Sequence, residues 1–210
     1  MRLRPLLVAA APALLVTGAL LVAVGVGEQQ PAPPVLTAPS SGTPSDPVPS
    51  SADSGTDVLP ASEPVRLTIP GISVSTSLER LGLNRDRVMQ TPRDPDKAGW
   101  YRLGPAPGSR GPAVIAGHVT WNGARSVFFR LAELQPGARV EVLRADGTTA
   151  VFTVTRTAQY PKDRFPSIDV YRNLDHAGLR LITCAGDYSP EDRRYADNIV
   201  VYARLSTPGS

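Results

Sequence analysis

The chain is 210 residues long, 41% hydrophobic and 20% charged, with a formal net charge of +3. One cysteine and two histidines rule out an intrachain disulfide framework and fall short of the usual zinc ligand set, so no metal and no cofactor is expected. The arginine-rich positive charge is scattered rather than blocked and accompanies no nucleic-acid motif, which sets nucleic acid aside as a partner.

Residues 5–27 carry no charge, and Leu6 to Val26 is almost entirely apolar. About 20 such residues span a bilayer core as a helix. Arg2 and Arg4 precede the run and Glu28 is the first charge after it, which places the N-terminus in the cytoplasm by the positive-inside rule. Ala23-Val24-Gly25 offers a small-x-small cleavage site. The apolar run nevertheless exceeds the roughly 7–15 residues of a signal h-region. An uncleaved, single-pass anchor over residues 1–27 is therefore expected, with the remainder of the chain extracytoplasmic.

Residues 28–64 hold nine of the 22 prolines among Ser, Ala, Thr and Gly, with no apolar periodicity. Such a segment cannot bury enough surface to offset its ordering entropy. It is expected to be a disordered linker, stiffened by proline, with a reach on the order of 100 Å.

Residues 65–207 suffice for one domain with its own core. Alternation predicts strands over Val65–Ile69, Ala138–Leu143 and Thr149–Ala158, the last two flanking the hairpin signal Ala145-Asp146-Gly147. Apolar runs predict further strands over Ala113–Gly117, Leu179–Cys184 and Ile199–Leu205. Helix is expected only in short stretches, over Ser126–Leu134, Ser167–Leu174 and in a turn around Leu78. Many short strands with Gly/Pro turns predict a mostly-β closed barrel or sandwich rather than a doubly wound sheet.

Cys184 ends the apolar run from Leu179 and is followed at once by Ala185-Gly186, so a buried strand delivers its thiol to a sheet end. A thiolate there is a candidate nucleophile, although a lone cysteine is more often a structural one. His118 ends a second apolar strand, after Gly117. His176 precedes Cys184 by eight positions, ~26 Å along an extended chain, which leaves His118 as the candidate partner of the thiol. Asp192-Arg193-Arg194-Tyr195 supplies forked, permanently charged donors just before the final strand.

With these residues in view, the chain resembles the sortases, the cysteine transpeptidases of the Gram-positive cell surface. Leu181-Ile182-Thr183-Cys184 matches the family motif Thr-Leu-x-Thr-Cys, with Arg180 where the first Thr stands, and Gly117-His118 matches its histidine motif. Residues 91–101 (TPRDPDKAGWY), 111–119 (GPAVIAGHV), 127–131 (VFFRL) and 197–203 (DNIVVYA) are similar to the class E/F sortases of actinobacteria, class F above all. The resemblance runs from about Val65 to Leu205. It departs at Ala196, where the subfamily usually carries its arginine. Side chains alternate along a strand, so Arg194 shares a face with position 196 and is the expected substitute, with Arg193 second and pointing away.

The resemblance implies a β-barrel of about eight strands with its catalytic groups at one end. Cys184 is expected to attack an LPxTG-like sorting signal, His118 to protonate the leaving amine, and Arg194 to steady substrate and oxyanion. Thr183 and Arg193 are the expected substrate contacts. The implied partners are secreted proteins with C-terminal sorting signals, an amine of a peptidoglycan precursor and, through the N-terminal helix, the membrane. Three other readings stay open: a pilin-polymerising sortase, an L,D-transpeptidase (whose Ser-His-Gly-x-x-Cys neighbourhood is missing), and a catalytically silent, anchored barrel that binds.

Overall fold

The structure, a computed structural model, describes residues 31–36 and 58–206. The expected anchor and the middle of the expected linker lie outside the described residues. Among the described residues no helix is long and apolar enough to cross a membrane.

Among the described residues ten strands follow one another: β1 (Pro64–Ile69), β2 (Val74–Leu81), β3 (Ala98–Tyr101), β4 (Gly111–Gly117), β5 (Thr120–Trp121), β6 (Ala124–Arg125), β7 (Arg139–Arg144), β8 (Thr149–Pro161), β9 (Ala177–Ser189) and β10 (Arg194–Leu205). Eight of them close into a barrel in the order β1-β2-β3-β4-β9-β10-β8-β7, and β5 and β6 form a separate small ribbon. Among the described residues the only α-helix is α1 (Ser167–Tyr171). The expected mostly-β closed barrel of about eight strands is the architecture found.

Alternation builds the core. Leu67 and Ile69, Val140 and Val142, Phe152 and Val154, Leu179 and Leu181, and Ile199 and Val201 all point into the barrel and are buried. Each fully buried side chain of this kind contributes about 1.5–3 kcal/mol. β9 is buried on its other face too, because Ile182 meets Val114, Val200, Tyr202 and Val170 of α1 outside the barrel. That double burial explains why it reads as a continuous apolar run. Arg180 shares this outer layer, its guanidinium 4.5 Å above the Tyr202 ring, and burial pulls it down to about 10 while pushing the Tyr202 hydroxyl up to about 12.

Some elements differ from expectation. Leu78 lies within β2, not in a helical turn, since β1 pairs with the first half of the strand and β3 with the second, starting at Leu78. Residues 126–134 form turns and one 3-10 turn, Leu131–Glu133, that plug the barrel with Phe128 and Leu131. Ordered contacts begin before Val65: Leu59 donates its N–H to Gly108 O, and Arg144 reaches the Pro60 carbonyl. Leu36 and Leu59 both pack against the main core.

One parallel pairing positions the site. β4 lies between β3 and β9, antiparallel to the first and parallel to the second. Parallel neighbours end on the same side of the barrel, so the residues after β4 emerge beside the C-terminal half of β9.

Candidate active site

His118 follows directly on β4. The last pair of the parallel ladder is Ala116 with Ile182, and the same offset sets Gly117 beside Thr183 and His118 level with Cys184. Neighbouring strands lie about 4.8 Å apart. The Thr183 hydroxyl locks this arrangement by donating to Gly117 O at 2.8 Å. Gly117 itself admits no side chain, since a Cβ there would lie 2.6 Å from Phe128 Cδ2 and 2.8 Å from Val127 Cγ1. Phe128 in turn donates its N–H to His118 O, so the histidine backbone is held from two sides.

The imidazole is equally constrained. Its Nε2 lies 2.8 Å from Pro92 O. A carbonyl only accepts, so Nε2 carries a proton and Nδ1 is the nitrogen left for chemistry. The Trp121 ring tilts against the imidazole at 4.9 Å. The segment carrying Pro92 is pinned by Glu79, whose carboxylate accepts the N–H groups of Arg93 and Asp94 at 3.0 and 3.1 Å.

Cys184 lies in β9 opposite Asn198 of β10, half-buried, and packs against a cluster of Val119, Phe129, Tyr188 and Tyr195. The Tyr195 hydroxyl shares a hydrogen bond of 2.8 Å with Thr120, and burial raises its pKa above the ordinary tyrosine value. Just past the thiol the ladder slips by one residue. Gly186, at φ +76°, turns the chain toward Asp197, where a Cβ would lie 2.7 Å from Oδ2. The closest polar partner of the thiol was not foreseen in the sequence: Lys162 Nζ lies 3.3 Å from Cys184 Sγ.

The parallel register thus sets His118 level with Cys184 and keeps His176 apart. His176 precedes β9 at the opposite end of that strand, its Nδ1 2.6 Å from Asp175 Oδ1, a contact that holds the Asp175 carboxyl below its ordinary range. Arg194 is the first residue of β10, and it lines an open cavity of about 540 Å³ with Lys162, Asp187, Ala196 and Asp197. Its side chain makes no hydrogen bond or ion pair with another described residue. Arg193 sits in the preceding turn at φ +52° and is exposed. Thr183 is only 5% exposed, with its hydroxyl spent on Gly117, so its observed contact positions the histidine strand.

Thr183→Val tests that contact. The variant keeps the shape but leaves the Gly117 carbonyl without its donor, and a loss of about 1–3 kcal/mol in stability is expected. An unchanged denaturation midpoint would show that the bond carries no weight.

Compared with known proteins, the family model of the Sortase domain matches residues 67–206. No curated protein matches the chain in sequence. Among solved structures, a lid mutant of sortase A from Corynebacterium diphtheriae aligns with a TM-score of 0.54 at 16% identity, covering 70% of this chain and 71% of that one. Sortase C-1 from Actinomyces oris gives 0.53 at 18% identity, covering 69% and 76%. A Clostridium perfringens sortase D5 transpeptidase gives 0.52 at 20% identity, covering 69% and 79%. At these identities the structural likeness bears on the fold alone.

Proposed function

The chain belongs to the sortase family, and on that premise we propose that it is a membrane-anchored cysteine transpeptidase that cuts an LPxTG-like sorting signal and transfers the released protein to a cell-wall amine. One observation supports this reading most strongly. His118 follows the last residue of β4, and the register of the parallel ladder sets it level with Cys184 inside the neighbouring β9, where Thr183 and Pro92 hold the histidine segment by hydrogen bonds.

The chemistry follows from that pairing. The Cys184 thiolate adds to the Thr–Gly carbonyl carbon, and the C=O electron pair moves onto oxygen. Collapse of the adduct breaks the C–N bond, and the imidazolium of His118 gives its proton to the departing amine. A thioacyl enzyme and a neutral imidazole remain. An acceptor amine then attacks the thioester, His118 takes the amine proton, and the thiolate leaves as the new amide forms. Nδ1 serves in both steps, because Nε2 stays bonded to Pro92 O. Arg194, on the cavity wall, holds the substrate chain.

The finer assignments rest on sequence. The actinobacterial class F subtype is supported by the segments 91–101 and 111–119, and the single-pass anchor by the apolar run from Leu6 to Val26 flanked by Arg2 and Arg4. The peptidoglycan amine as acceptor comes with the family. The test incubates the purified full chain with a pentapeptide library and an amine, and reads transfer products by mass spectrometry. Products joined after the Thr of an LPxTG-like motif support the reading. A chain that processes no library member while its thiol labels slowly is a silent barrel instead.

A further inference from the structure

The mechanism needs positive charge at the sulfur and at the oxygen that becomes an oxyanion, and Ala196 supplies none. Arg194 lies on the cavity wall without a contact to the thiol, whereas Lys162 both lines that cavity and reaches Sγ at 3.3 Å. Only two lysines occur in the chain, and the other, Lys97, pairs with Asp94 at 3.1 Å. Lys162 forms no ion pair with a described carboxylate, and its one side-chain polar contact among the described residues is with the thiol. Its neighbour Asp163 faces Arg164 instead, at 3.9 Å.

The backbone explains the contact. Pro161, the last residue of β8, pairs with Asp197 of β10, and Asp197 pairs with Ala185 of β9. Lys162 and Cys184 each stand one residue from that three-strand row. Lys162 opens a 3-10 turn, Lys162–Arg164, that bends its side chain back over the row. An ammonium has three donors. One meets Sγ, and two remain for an oxygen bonded to the carbon that the sulfur attacks.

We propose that Lys162 is the cationic catalytic residue of this site, donating to the Cys184 thiolate in the resting enzyme and to the oxyanion of both tetrahedral adducts, while Arg194 only holds substrate. The proposal rests on the transpeptidase reading for the oxyanion role and on geometry alone for the thiolate role. Two readouts therefore separate the failure of one from the failure of the other.

The first readout is the ratio of Cys184 alkylation rates with anionic iodoacetate and neutral iodoacetamide, followed by mass spectrometry on the full chain. In both reagents the sulfur displaces iodide from carbon, and only the first is drawn by a neighbouring cation. A unit charge about 4 Å away changes an interaction by roughly fivefold in water and more near a protein surface. The ratio is expected to fall about tenfold in Lys162→Met, to stay within twofold of wild type in Lys162→Arg, and to stay within twofold in Arg194→Met. An unchanged ratio in Lys162→Met overturns the proposal, whether or not any peptide is turned over.

The second readout is turnover of a peptide selected from the library. Removing an oxyanion donor typically costs about 10²–10³ in rate. Lys162→Met is expected to lose kcat in that range with KM little changed, and Arg194→Met to raise KM instead. If kcat collapses in Arg194→Met and holds in Lys162→Met, the oxyanion role belongs to the arginine and the proposal fails.

Discussion

Cys184→Ala is expected to abolish both cleavage of the sorting-signal peptide and formation of a thioacyl adduct, with a fold that melts close to wild type. The side chain is half-buried beside Tyr195 and Val119, so trimming the sulfur forfeits little packing, on the order of 1 kcal/mol. Its chemical role has no understudy. Cys184 is the only thiol in the chain, and no second cysteine can take over from another position. Turnover and thermal midpoint measured on the same sample separate the two effects. Retained peptide turnover in that variant would sink the assignment of the nucleophile.

The second large effect separates the two histidines. His118→Ala is expected to lose about 10²-fold or more in rate, the usual range for a positioned acid–base group. His176→Ala is expected to stay near wild type. Register supplies the reason: the offset that pairs Ala116 with Ile182 sets His118 level with Cys184, whereas His176 precedes the strand that Cys184 stands far along. Steady-state rates of the two variants on one peptide decide the matter, and equal losses contradict it.

Much of this was legible in the sequence, where side-chain pattern and burial coincide. β1, β4, β7 and the cores of β8, β9 and β10 announce themselves because their inward faces are Leu, Ile, Val and Phe at strand spacing. β2 and β3 do not. β2 is only partly buried and rich in Ser, Thr, Glu and Arg, and β3 is a four-residue strand containing Gly99. Both owe their strand state to partners on either side, which local propensity does not record. β9 continues past Gly186 because the ladder absorbs an extra residue there, whereas in sequence the same glycine marks an end.

The site divides the same way. Cys184 and His118 are visible because each ends an apolar run. Lys162 is invisible because it stands 22 residues from Cys184 and meets it only through the joint register of β8, β10 and β9. The carbonyl of Pro92 is hidden for a related reason: a backbone acceptor has no sequence signature, and its 26-residue separation from His118 closes only in three dimensions. Thr183 was legible as part of a motif, but its role depends on which carbonyl its hydroxyl finds.

The most direct test is intact-mass spectrometry of the purified full chain, mixed with a processed peptide and sampled before an acceptor amine is added. A mass gain equal to the acyl fragment, mapped to Cys184, lost on adding amine and absent from Cys184→Ala, is the predicted result. Cleavage that proceeds with no adduct on Cys184, or an adduct that maps to any other residue, contradicts the account.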